Sequence, residues 1–215
     1  MPDRPEAAEI NPHAGTYLIT DDPREREASV RAGDRSVAEF PYYLERYGER
    51  GRLFGRSDSA WIARLAGTSA AELEEQIRWL GTVLSSRGMP QWLLIRHLHG
   101  LHEELCAAVP ERSDTYARLL RVANGLQSTL DARLPPEAVE ALAARFEATA
   151  DAAWRARLPH MARILAAAVA DESVGLANAV DAVVSWAGDA KRFPPGWVDA
   201  VHAAVAAARA AVVAR

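Results

Sequence analysis

Leu94-Ile95-Arg96-His97-Leu98-His99-Gly100-Leu101-His102-Glu103-Glu104-Leu105 places leucines at 94, 98, 101 and 105. Steps of four, three and four keep one face of an α-helix apolar and match no strand. The predicted helix starts after Gly88 and Pro90 and ends near Pro110. The same reading extends upstream. Ser69-Ala70-Ala71-Glu72 is a capping box that opens a helix striped by Leu73, Ile77, Leu80 and Leu84. A short helix with Trp61, Ile62 and Leu65 follows Ser57. From Ser36, Phe40, Tyr43, Leu44 and Tyr47 share a further helical face, after which Gly48, Gly51 and Gly55 loosen the chain.

Downstream, Ser113 or Asp114 caps a helix carrying Tyr116, Leu119, Leu120 and Val122. Beyond Pro135-Pro136, helix is expected to about Ala170 with a break at Pro159. Ser173 is expected to cap a helix with Leu176, Val180, Val183 and Val184. Trp197, Val198, Val201 and Val205 lead the last one. No stretch alternates apolar and polar residues for long, so the fold class is all-α. The stripes must then be buried helix against helix, in one or more bundles.

The bulk numbers bound the function. The chain has 215 residues, 49% of them hydrophobic, enough for one large or two small domains. A formal net charge of -4 argues against a dedicated nucleic-acid binder. Cys106 is the only cysteine, so no internal disulfide is expected. The first residues lack a signal-peptide pattern, and no apolar run approaches the roughly 18 residues of a membrane span. A cytoplasmic protein without a membrane association is expected. Residues 1–33, with Pro2, Pro5, Pro12 and Pro23, are read as an irregular arm, with Tyr17-Leu18-Ile19 docking on the body and a short helix after Asp22-Pro23. Residues 34–134 and 135–215 form two helical halves, or one merged domain.

Those halves share a pattern. Pro90-Gln91-Trp92 precedes His97, and Pro195-Gly196-Trp197 precedes His202, at the same internal spacing. Trp79-Leu80-Gly81 and Trp186-Ala187-Gly188 stand upstream of each, and Ser69 and Ser173 are matching cap serines. An internal duplication of a roughly 100-residue helical unit accounts for these matches. It makes Trp92 and Trp197 paired anchors near helix starts and His97 and His202 paired imidazoles. Such a set offers a ligand cage, or ligands for haem iron or a metal ion. Packing anchors and a hydrogen-bonded core histidine are the simpler structural alternatives.

Other candidates are weaker in chemistry. His99 and His102 share a helical face with Glu103 and Cys106, all metal-ligand types, but the leucine stripe turns that face outward. Arg46, Arg50, Arg52 and Arg56 form a patch for an anion or an acidic partner, diluted by Glu45 and Glu49. No catalytic motif, di-iron signature or phosphate loop is present.

Residues 40–125 resemble globin-fold sensor domains, through Leu80-Gly81-Thr82-Val83-Leu84-Ser85-Ser86-Arg87-Gly88-Met89. Where the resemblance would place the haem-ligating histidine, this chain has Leu84. It therefore implies the non-haem members of that fold. The expected function is a non-catalytic sensory or adaptor module that binds a protein partner or an apolar ligand, with a homo-oligomer allowed. No cofactor is expected. The alternative is a haem- or metal-binding protein, enzymatic or not, that uses His97 and His202.

Overall fold

Asp22 opens the first helix: its side chain accepts the Arg24 N–H, and Pro23 presets the first helical position. The computed structural model describes residues 4–213. Among them ten α-helices run in order: α1 (Pro23–Glu39), α2 (Tyr42–Ala66), α3 (Ala70–Ser86), α4 (Gln91–Ala108), α5 (Ser113–Asp131), α6 (Pro136–Thr149), α7 (Ala152–Arg157), α8 (Met161–Ser173), α9 (Ala179–Ala187) and α10 (Pro195–Ala211). The chain is all-α. Among the described residues the sole β feature is an isolated bridge between Glu6 and Leu18, and no helix is long and apolar enough to cross a membrane.

Two compact units divide the chain. Unit 1 takes the residues up to 78 and 95–124; unit 2 takes 79–94 and the residues from 125 onward. Each draws on two separate stretches of sequence, and the divisions fall inside α3, α4 and α5.

In unit 1, α1 packs along α2. Gly33 makes this possible, because a Cβ there would stand 3.0 Å from the Arg56 backbone nitrogen. The next residue, Asp34, takes bidentate hydrogen bonds from Arg56 and a third from Arg52. The leucine stripe of α4 is buried as its spacing requires, with Leu98, Leu101 and Leu105 fully covered. Ile19 is buried with Ala7 and Ala60, while Tyr17 donates to Asp58 and meets Trp61 edge-on.

Three local expectations in unit 1 need correction. The helix expected after Asp22-Pro23 is present but is not short: α1 runs for 17 residues, so residues 23–33 are helical and the irregular part ends before Pro23. The helix expected through Ser36–Tyr47 is broken at Phe40, because a residue before proline is driven out of the α region, here to φ -123°, ψ 82°. Tyr42 is buried as a result, whereas Leu44 is exposed. Helix α2 then runs through Gly51 and Gly55, and its one non-helical residue is Gly48, at φ 62°, ψ -161°, a region open in practice to glycine alone.

In unit 2, α8 is buried without interruption from Ile164 to Asp171, with α6, α9 and α10 packed around it. Ser173 caps nothing. It is the last residue of α8, its hydroxyl donates to the Ala170 carbonyl, and α9 starts only after Asn178. Trp197 is fully buried, stacked on Phe193 and edge-on to Phe146, and its indole N–H donates to the Ala187 carbonyl at the end of α9.

Candidate functional site

Asp171, on α8 in unit 2, is a carboxylic acid with no exposed surface. Its Oδ2 accepts two hydrogen bonds, from the Ser85 hydroxyl at the end of α3 (2.6 Å) and from the Gln91 backbone N–H (2.9 Å). Gln91 is the first residue of α4, so Asp171 satisfies one of the orphan donors of that helix start. Its Oδ1 has no hydrogen-bond partner among the described residues. Burial pushes the carboxyl up to about 6, and the hydrogen bonds from Ser85 and Gln91 oppose it only in part.

Gln91, held by the carboxyl, is followed directly by Trp92. Trp92 is half-buried and lines a cleft of about 250 Å³ that lies wholly within unit 2. Leu130, Leu134 and Val139 supply apolar lining, as do Ala166, Ala167 and Ala170, the residue just before Asp171. The alanines of α8 leave room that larger side chains would fill. Four polar residues complete the lining. Gln127 donates to Asp131 at 2.7 Å, and Arg163 reaches both carboxylate oxygens of Glu140. His160, in a left-handed conformation at the start of α8, brings its ring within 6.3 Å of the indole of Trp92.

The other predicted residues go elsewhere. Trp197, the expected counterpart of Trp92, is in the aromatic core. Trp92 is the second residue of its helix and Trp197 the third of its own; the first is half-buried and the second fully buried. His202 is exposed and lies against Gly188. His97 belongs to unit 1, held between two hydroxyls: Ser36 on Nδ1 (2.8 Å) and Ser59 on Nε2 (3.0 Å). Ser59 already donates its single proton to the Gly55 carbonyl. Nε2 must therefore carry the ring proton and donate to Ser59, leaving Nδ1 to accept from Ser36. The imidazole is neutral with both nitrogens engaged, and desolvation pulls its pKa down to about 4.

His99 and His102 share α4 with Cys106, whose sulfur lies 3.4 Å from His102 Nε2. Among the described residues no group of three or more His, Cys, Asp or Glu is placed to hold a metal ion. In the arginine patch, Arg52 and Arg56 pair with Asp34, Arg46 lies over the rings of Tyr42 and Tyr47, and Arg50 lies over Phe54.

Unit 1 has a larger hollow of about 430 Å³, lined by Glu9, Ile10, Arg26, Glu27, Val30 and Arg31. It has no aromatic wall, Arg26 is held by the Thr20 and Asp21 carbonyls, and Arg31 pairs with Glu104. The Trp92 cleft is smaller but better furnished for a ligand. Comparison with protein-family models, curated proteins and solved structures found no match.

Proposed function

We propose that this chain is a non-catalytic helical binding module, sensory or adaptor in kind, which takes a small and largely apolar ligand in the Trp92 cleft. The carrying observation is the cleft itself: a half-buried tryptophan faces alanine and leucine walls, with four polar side chains among them. Ligand sites are mostly apolar concavities with a few orienting polar groups. The buried Asp171 anchor supports the reading, because it ties the start of α4, one residue before Trp92, to α8. The resemblance to non-haem globin-fold sensors suits such a role and adds no residue to it.

A protein partner draws less support. Among the described residues the large apolar side chains left exposed are Leu44, Trp79 and Val213, a thin basis for an apolar docking face. The haem or metal alternative is also less favoured, since neither ring nitrogen of His97 is open to iron.

A ligand-observed NMR screen of small apolar compounds tests the proposal. Compounds that bind the wild-type protein are expected to lose binding in Ala167→Phe, which fills the cleft. A screen without binders, or binders indifferent to that substitution, overturns it.

A further inference from the structure

We propose that the ligand of the Trp92 cleft is a small organic monocation, an ammonium group carrying a short apolar body. This rests on the cleft being the binding site and names the chemistry it selects. Asp131 is the last residue of α5, at the negative end of the helix dipole. A carboxylate there adds like charge to like. Its Oδ1 accepts from Gln127, and no described cationic side chain pairs with it.

The one guanidinium of the cleft is committed. Arg163 Nη2 reaches Glu140 Oε1 and Oε2 at 2.6 and 2.7 Å, and that pair is neutral. Two carboxylates against one guanidinium leave the lining with a single uncompensated negative charge, on Asp131. Trp92 stands in the same lining, and indole is the aromatic ring that attracts a cation most strongly. Leu130, Val139, Ala166 and Ala167 are left for the apolar body. The cleft holds about eight waters' share of volume in its 250 Å³, below the range that takes drug-sized molecules. The body is therefore one ring or a short chain. An anion would meet Asp131 with no free guanidinium to receive it. A neutral ligand would dehydrate Asp131 and give its charge nothing in return.

Isothermal titration at low ionic strength tests this with 2-phenylethylammonium, its neutral counterpart 2-phenylethanol and the anion 3-phenylpropanoate. The ammonium is expected to bind about tenfold more tightly than the alcohol, and the propanoate not at all. Asp131→Asn should weaken the ammonium toward the affinity of the alcohol and should not weaken the alcohol, which no longer has a charge to dehydrate. Ala167→Phe, or Val139→Phe if the first does not fold, should abolish both. Equal affinity for ammonium and alcohol, both lost in the filled cleft, overturns the cation inference and leaves the apolar-ligand reading standing. Preference for the propanoate does the same. Absence of binding by every probe, or binding that survives the filled cleft, overturns both.

Discussion

Glu25 in unit 1 and Asp171 in unit 2 are both cut off from water, and their surroundings treat them in opposite ways. Glu25 receives the Arg112 guanidinium, the Tyr116 hydroxyl at 2.5 Å and the Thr20 hydroxyl, so each oxygen has a partner and its charge has a counter-charge. Asp171 receives one hydroxyl and one backbone N–H on a single oxygen, and no cation. Unit 1 has solved carboxylate burial by pairing; unit 2 solves it by holding a proton longer. The half-buried histidine of unit 1 completes the contrast, since the desolvation that pulls His97 down to about 4 is the same effect that raises Asp171 to about 6. Burial favours the neutral form in both, and for an acid and a base this means opposite responses to pH.

The largest test removes the pairing. Glu25→Leu strands a guanidinium and a phenol, and should destabilise unit 1 by about 3 kcal/mol in urea unfolding. The lower end of the range applies because the Arg112 side chain is 37% exposed and can turn to water. An effect below about 1 kcal/mol would mean that the pairing contributes little.

Comparable in size is the pH response. Asp171 titrates near 3.8 when unfolded and about 6 when folded. The folded state keeps the extra proton between these values, so stability falls as pH rises through that window, by at most about 3 kcal/mol. His97 runs the other way: its value falls from 6.5 to about 4 on folding. Its contribution is intact above 6.5 and is lost as pH falls toward 4, again by at most about 3 kcal/mol. Urea midpoints between pH 4 and 7 for Asp171→Asn and His97→Gln, each subtracted from wild type, should give curves of opposite slope. Parallel or flat curves would break the contrast between the units.

The smallest effect concerns the cleft. Asp131→Asn relieves a carboxylate at a helix C-terminus and should raise the melting temperature slightly, by an equivalent of about 0.5 kcal/mol. A loss of stability instead would show that the free protein already uses that charge.

What was legible in the sequence was whatever depends on near neighbours. Leu98, Leu101 and Leu105 declare their helix by spacing, Ser69 declares its cap, and its hydroxyl does accept the Glu72 N–H. Phe40 was misread because four aromatic and aliphatic residues at helical spacing outweighed a single Pro41. Ser173 was misread because a cap serine and a serine bonding back to its own helix look alike in one dimension. The site was half legible. Trp92 stood out as a large side chain at a helix start, but whether it faces core or cleft depends on Leu130, Val139 and Ala166, far along the chain. Asp171 gave no signal at all, since its partners Ser85 and Gln91 lie 86 and 80 residues away. His97 was noticed, but the hydroxyls that decide its chemistry come from α1 and α2.

The interleaving of the two units sets an order of events on the ribosome. Every residue of unit 1 has been synthesised once the chain reaches position 124, whereas unit 2 still lacks about ninety residues. At roughly 5–20 residues per second, those take about five to twenty seconds to appear. During that interval residues 79–94 already exist, with Leu80, Leu93 and Leu94 destined for burial, but without the Asp171 that will hold Ser85 and Gln91. The segment that carries Trp92 therefore waits on the ribosome, with its apolar side chains made, until the rest of its unit follows.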